Sequence, residues 1–143
     1  MAIKILIIDG QGGRIGAQLI DALREALPDA HLTAVGTNSI ATAAMLKSNP
    51  DAAATGENPV IAGCRRADFI TGPLGIVITD SLHGEVTPAM AAAVGQSEAA
   101  RILIPVNKCD TIAVGVADIP MTALIKEAAK KIAEMAGENT ICP

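Results

Sequence analysis

The sequence predicts one α/β domain with a mostly parallel sheet, helices on both faces and an antiparallel strand at one sheet edge. Three observations carry this. Short apolar runs alternate with segments of helical spacing. The hydrophobic share is 50%, nearly all aliphatic, with Phe69 the sole aromatic. Such side chains suit helices lying close on a buried parallel sheet. The length, 143 residues, accommodates one domain, so residues 1–143 are read as a single unit.

The elements follow in order. Residues 3–8 form a short apolar run stopped by Asp9 and Gly10, which reads as a buried strand. A helix is expected over about 13–27, where Ile15, Leu19, Leu23 and Leu27 recur on one face and Pro28 closes it. Residues 31–35 form a second strand. The polar turn 36–39 can cap a helix over about 40–47. This β–α–β–α opening begins a parallel sheet with right-handed crossovers.

Residues 49–59 are rich in turn formers and read as a surface loop or a flap. A third strand is expected over 68–71, ending at Gly72 and Pro73. Residues 75–82 are ambiguous: Ile76, Val77, Ile78 and Thr79 favour a strand. Leu74, Ile78 and Leu82, four apart, favour a helix, and a parallel sheet needs a crossover there, so the helix is preferred. Thr87 caps a helix that has Pro88 at its first position and runs to about Val94. Residues 102–106 form a strand, 107–110 a turn, and 111–116 the antiparallel edge strand. The last helix spans about 120–136, with Met121, Ile125, Ala128, Ile132 and Met135 as its buried stripe and Gly137 as its stop.

Composition excludes several classes. A net charge of −4 gives no footprint for nucleic acid or anionic membrane. No segment reaches the roughly 18 apolar residues of a membrane span. No signal peptide is read at the start, because Asp9 interrupts the first apolar run. A cytoplasmic protein is expected. Cys64, Cys109 and Cys142 are widely spaced and include no C-x-x-C pair. Neither a disulfide framework nor a zinc site is expected, and no metal is assigned. The high apolar share of a small chain points to a buried subunit interface, hence a homo-oligomer.

The strongest chemical signal is Asp9-Gly10-Gln11-Gly12-Gly13-Arg14-Ile15-Gly16, between a predicted strand and a predicted helix. That is the setting of a dinucleotide fingerprint in a Rossmann-like fold. Gly10 permits the turn, Gly12 or Gly13 lets backbone approach a phosphate, and Gly16 lets the helix lie close to the strand. Amides at the helix start then face the anion. The spacing is G-x-x-G-x-x-G, not the strict G-x-G-x-x-G. A turn whose glycines serve packing alone would read the same way.

In a dinucleotide site an acid about 20 residues on holds the adenosine ribose. Gly36-Thr37-Asn38-Ser39 stands there and has no carboxylate. This counts against a typical NAD site. Hydroxyls and an amide could take the 2′-phosphate of NADP, yet no Arg stands in the turn. A helix cap explains the same residues.

Other groups are weaker. Asp80, His83 and Glu85 could serve acid–base chemistry or form a solvated segment. Asn107-Lys108-Cys109-Asp110 matches the N-K-x-D pattern of GTPases. The phosphate-cradling G-x-x-x-x-G-K-[ST] is missing, so GTPase activity is not expected. Cys64, beside Arg65 and Arg66, could have a lowered pKa, and Cys109 could be reactive, though buried inert thiols are commoner. His31 reads as structural.

The segment Gly13-Arg14-Ile15-Gly16 resembles the nucleotide turn of the dihydrodipicolinate reductases. That resemblance covers only the first β–α unit and implies a phosphate or ribose contact for Arg14. Across nearly its whole length the chain resembles an uncharacterised bacterial family of short proteins, labelled only as a domain of unknown function. The residues that carry this are Ile8-Asp9-Gly10-Gln11-Gly12-Gly13, Gly36-Thr37-Asn38 and Ala54-Thr55-Gly56-Glu57-Asn58. Three further segments agree: 72–78, 84–90 and 105–109. The resemblance implies a stand-alone protein and no nameable activity.

Ligands of open parallel sheets bind beyond the carboxyl ends of the strands. Four loops are expected to converge there: 10–16, 36–39, 72–75 and 107–110. The expected ligand is a nucleotide, NAD or NADP above others. Its contacts would come from Gly10, Gln11, Gly12, Gly13, Arg14, Ile15, Gly16, Thr37, Asn38, Gly72, Gly75, Asn107 and Lys108. Arg14 and Lys108 would give the rim a positive bias. The alternatives are a structural or regulatory homo-oligomer with a vestigial nucleotide site, and a small enzyme acting on a phosphorylated metabolite.

Overall fold

A computed structural model describes residues 2–106, 110–116 and 118–137. The elements run β1 (Lys4–Asp9), α1 (Arg14–Ala26), β2 (His31–Gly36), α2 (Ser39–Leu46), β3 (Ala52–Thr55), α3 (Glu57–Cys64), β4 (Phe69–Pro73), α4 (Pro88–Gln96), β5 (Ala100–Ile104) and α5 (Met121–Gly137). The five strands form one sheet in the order β3-β2-β1-β4-β5, every neighbour parallel. This is the strand order of the doubly wound Rossmann class. Its switch point lies between β1 and β4, where successive crossovers leave in opposite directions.

Buried residues alternate between the two faces. Ile5, Ile7, Leu32, Ala34 and Phe69 join Leu19, Leu23, Ile125 and Ile132 of α1 and α5 on one face. Leu6, Ile8, Val35 and Ile70 meet Val60, Met90 and Val94 of α3 and α4 on the other. The central strands β1, β2 and β4 therefore bury both faces, which is why β1 reads as a continuous apolar run rather than an alternating one.

Three expectations are corrected. Residues 49–59 are not an irregular loop: they contain β3 and the start of α3. Ala-Ala-Ala-Thr has weak strand propensity, and pairing with β2 from Thr33 to Gly36 overrides it. Pro59 falls in the first turn of α3, where a missing N–H costs nothing. Residues 75–82 are not a helix. A single 3-10 turn, Leu74–Val77, is followed by turns through residue 85, and α4 alone supplies the crossover. Residues 111–116 are not an antiparallel strand, and the sheet is wholly parallel among the described residues. Val114 is 97% exposed and Ile112 75%, so their apolar alternation is not used to face this chain's own core.

Candidate functional site

Parallel pairing aligns Asp9 with Gly36. The turns after β1 and β2 therefore emerge side by side, and the Thr37 amide donates to the Asp9 carbonyl at 2.9 Å. The turn after β4 leaves from the adjacent strand at the same sheet end. Of the four expected loops, 10–16, 36–39 and 72–75 stand together. The 107–110 loop, with Asn107, Lys108 and Cys109, lies outside the described residues except for Asp110.

Most glycines of the first turn have steric reasons. A Cβ on Gly13, which has φ of +71°, would lie 2.8 Å from Ala41 Cα. A Cβ on Gly16 would lie 2.9 Å from Asp9 Cβ, so α1 crosses β1 closely. A Cβ on Gly10 would lie 2.8 Å from Leu82 Cδ1 and 3.1 Å from Glu85 Oε1. Gly72, with φ of +156°, would drive a Cβ into the Ile8 carbonyl oxygen. Gly12 differs. It is exposed, its φ is not left-handed, and a Cβ there would meet nothing nearer than Arg14 Cγ at 3.9 Å.

Two carboxylates hold the turn. Asp9 ends β1 and is 4% exposed. Its Oδ1 accepts from the Gly10 amide and its Oδ2 from the Gly16 amide, each at 2.8 Å. Burial pushes its carboxyl above the ordinary value. The amides of Gly16, Gly10 and Ile15 oppose the rise, and the charge of Glu85 adds to it. Part of the helix start is thereby satisfied from within. The amides of Gly12 and Arg14 have no acceptor among the described residues.

Glu85 arrives from the opposite direction, on the segment between the 3-10 turn and α4. Its Oε1 accepts from the Gln11 amide at 3.0 Å, the Thr37 hydroxyl at 2.6 Å and Asn38 Nδ2 at 2.5 Å. Asn38 also donates to the Gln11 carbonyl and, through Oδ1, caps α2 by accepting from the Ala41 amide. Partial burial acts to raise the Glu85 pKa. The Thr37, Gln11 and Asn38 donors and the nearby His83 outweigh it, so the net shift is downward. The turn thus holds an ionised carboxylate.

The segment bearing Glu85 is backbone-strained. Asp80, Leu82 and His83 have φ of +65°, +55° and +55°, and Gly84 +87°. The Ser81 hydroxyl donates to the Gly75 carbonyl and fixes the segment to the turn after β4. Asp80 and His83 therefore lie on the glycine-turn end of the sheet with Glu85. Glu85 was readable only as an acid–base candidate, since nothing in its local pattern reports a partner 74 residues away.

Of the two residues expected to give the rim a positive bias, Arg14 stands at the start of α1 and Lys108 lies outside the described residues. Arg14 is exposed, and the groups bonded into the turn are Asp9 and Glu85. Cys64 is corrected as well: burial pushes its thiol up to about 11, despite Arg101 nearby, so it is no low-pKa nucleophile. Thr71 of β4 is fully buried between Ile7 and Ile102, and its hydroxyl has no partner among the described residues. A groove of about 540 Å³ lies at the amino ends of β4 and β5, lined by Ile61, Cys64, Arg65, Ala93 and Ser97 among others. It is open, and no glycine turn or converging amides face it. Among the described residues no group of three or more His, Cys, Asp or Glu could hold a metal ion. No helix among them is long and apolar enough to cross a membrane.

The fold defines the class: a single α/β domain with a five-stranded parallel sheet flanked by helices. The chain belongs to the family described as Domain of unknown function (DUF3842), whose model matches residues 4–137. No curated protein matches it. Among solved structures it is similar to a dodecameric FMN-dependent Ubix-like decarboxylase from Escherichia coli O157:H7. That likeness has 16% identity and a TM-score of 0.43, covering 91% of this chain and 76% of the other.

Proposed function

We propose that the chain binds a nucleotide, of the NAD or NADP type, across the turn after β1. The observation that carries this is Gly12. Its neighbours Gly10, Gly13 and Gly16 are explained by close contacts within the chain, whereas Gly12 has open space, ordinary φ and an unengaged amide. A glycine with no internal reason, at the tip of a strand-to-helix turn, is what close approach of a ligand requires. The turn's capacity for anions is supported by Glu85, which the Gln11 amide already holds. A phosphate would use the Gly12 and Arg14 amides and the Arg14 guanidinium.

Calorimetry with NAD, NADP, AMP, GTP and FMN tests the reading. Measurable binding of at least one dinucleotide is expected. Gly12→Ala is expected to weaken it while leaving the melting temperature unchanged, because the added methyl meets nothing. Silence with all five ligands at millimolar concentration sinks the proposal.

A second reading, a structural or regulatory homo-oligomer with a vestigial site, is favoured by one observation. Asp9 already occupies the Gly16 amide at the helix start. The exposed Ile112 and Val114 would then serve a subunit contact. Sedimentation decides it: Val114→Asp should dissociate the assembly, and a monomeric wild type would end this reading.

A further inference from the structure

We infer that Glu85 supplies, from the segment before α4, the ribose-binding carboxylate that this fold ordinarily takes from the end of its second strand. The crevice would then select nucleotides whose ribose keeps a free 2′-hydroxyl. This rests on the nucleotide reading above and assigns its specificity.

The position carries the argument. In dinucleotide folds the ribose lies between the first glycine turn and the end of β2, where an acid accepts its hydroxyls. The end of β2 here is Gly36-Thr37-Asn38-Ser39 and has no acid. Glu85 Oε1 is bonded to donors from both flanking segments: Gln11 of the glycine turn, and Thr37 and Asn38 after β2. Three donors on one oxygen fix the carboxylate in the place the strand leaves vacant. Gly10 makes the approach possible, since a Cβ there would crowd Glu85.

The chemistry follows from the other oxygen. Oε2 receives no hydrogen bond from the described residues. An ionised carboxylate is an acceptor only, with lone pairs on both oxygens. Oε2 is therefore available to a hydroxyl, and a vicinal diol offers two donors to such a group. A 2′-phosphate brings further negative charge to the same place. Arg14 lies exposed on the helix side of the turn, His83 already stands near Glu85, and no basic residue in 36–39 adds to it. A phosphate placed where the hydroxyl would bond to Oε2 sets like charge against like charge.

The test is calorimetric titration of the full chain with NAD and NADP, in wild type, Glu85→Gln and Glu85→Asp. Circular dichroism melts establish that each variant is folded. Wild type is expected to favour NAD by about tenfold, because NADP brings a phosphate in place of the hydroxyl that the carboxylate would accept from. Glu85→Gln should narrow that ratio several-fold, chiefly by weakening NAD. Glu85→Asp, with its carboxylate withdrawn by one methylene, should fall between. Should Glu85→Gln instead tighten both nucleotides equally, Glu85 is an internal competitor for the anion site and the inference is wrong. An unchanged ratio in folded variants overturns it too and leaves the nucleotide reading standing. Absence of binding in wild type and both variants removes that reading, and this inference with it.

Discussion

The turn after β1 satisfies its backbone from nearby, with Asp9 accepting from Gly10 and from Gly16 seven positions on. The segment 78–86 does the reverse. Its chief anchor, Glu85, bonds to residues 47, 48 and 74 positions away, and its own backbone bends through four left-handed residues. The first region is built by a local rule, and the second is held by tertiary contacts that over-determine a strained path. A site assembled from both is half visible to sequence and half invisible.

The difference can be broken most forcefully at Gly13. Gly13→Ala places a Cβ against the Ala41 backbone at a left-handed φ, and backbone cannot step aside as a flexible side chain can. Strain and overpacking together should cost about 3 kcal/mol, measured by urea denaturation. Asp9→Ala comes next. It leaves the Gly10 and Gly16 amides without their acceptor, at about 2 kcal/mol. Gly84→Ala supplies the contrast. Its φ is also left-handed, but nothing lies within 4 Å, so only the conformational cost of about 1 kcal/mol is expected. Equal losses at Gly13 and Gly84 would show that the two regions are equally constrained.

The smallest effect concerns pH, and there the two carboxylates should oppose each other. The folded chain holds the Asp9 proton more tightly than the unfolded chain does. Its contribution is complete below the ordinary value of 3.8 and is lost as pH rises through the raised folded pKa. Glu85 is lowered, so its contribution is complete above 4.5 and is lost as pH falls through the folded pKa. Asp9→Asn should therefore flatten the decline on raising pH, and Glu85→Gln the decline on acidification. Denaturant midpoints from about pH 3 to pH 7 would measure both. A common direction in the two variants would contradict the assignment.

What the sequence made legible follows the same division. The buried run before Asp9, the spacing of Ile15, Leu19 and Leu23, and Thr87 ahead of Pro88 each report a local cause, and the matching elements stand in the structure. The Ala-rich β3 was hidden because its stability comes from β2 and not from its own side chains. The apolar alternation of 111–116 misled for the opposite reason: the pattern is present, but no strand among the described residues pairs with it. Leu74, Ile78 and Leu82 have helical spacing, yet Leu82 adopts φ of +55° to bring Glu85 over Gly10. The path of that segment is held by Glu85, by Ser81 on the Gly75 carbonyl and by the Asp80–Val86 backbone pairing, none of which its spacing reports.

The hydrogen bond from Gln11 to Glu85 has a kinetic meaning too. The bonds of Asp9 need only β1 and α1, but the Gln11 amide has its acceptor only when residue 85 is docked. Its exchange with solvent deuterium is therefore a clock for that docking and not for the first β–α unit. In native exchange, Gly16, shielded by Asp9, should open only with α1, whereas Gln11 should open whenever the 78–86 segment lifts. One amide pair, five residues apart in the chain, then reports two separate unfolding units of the same domain.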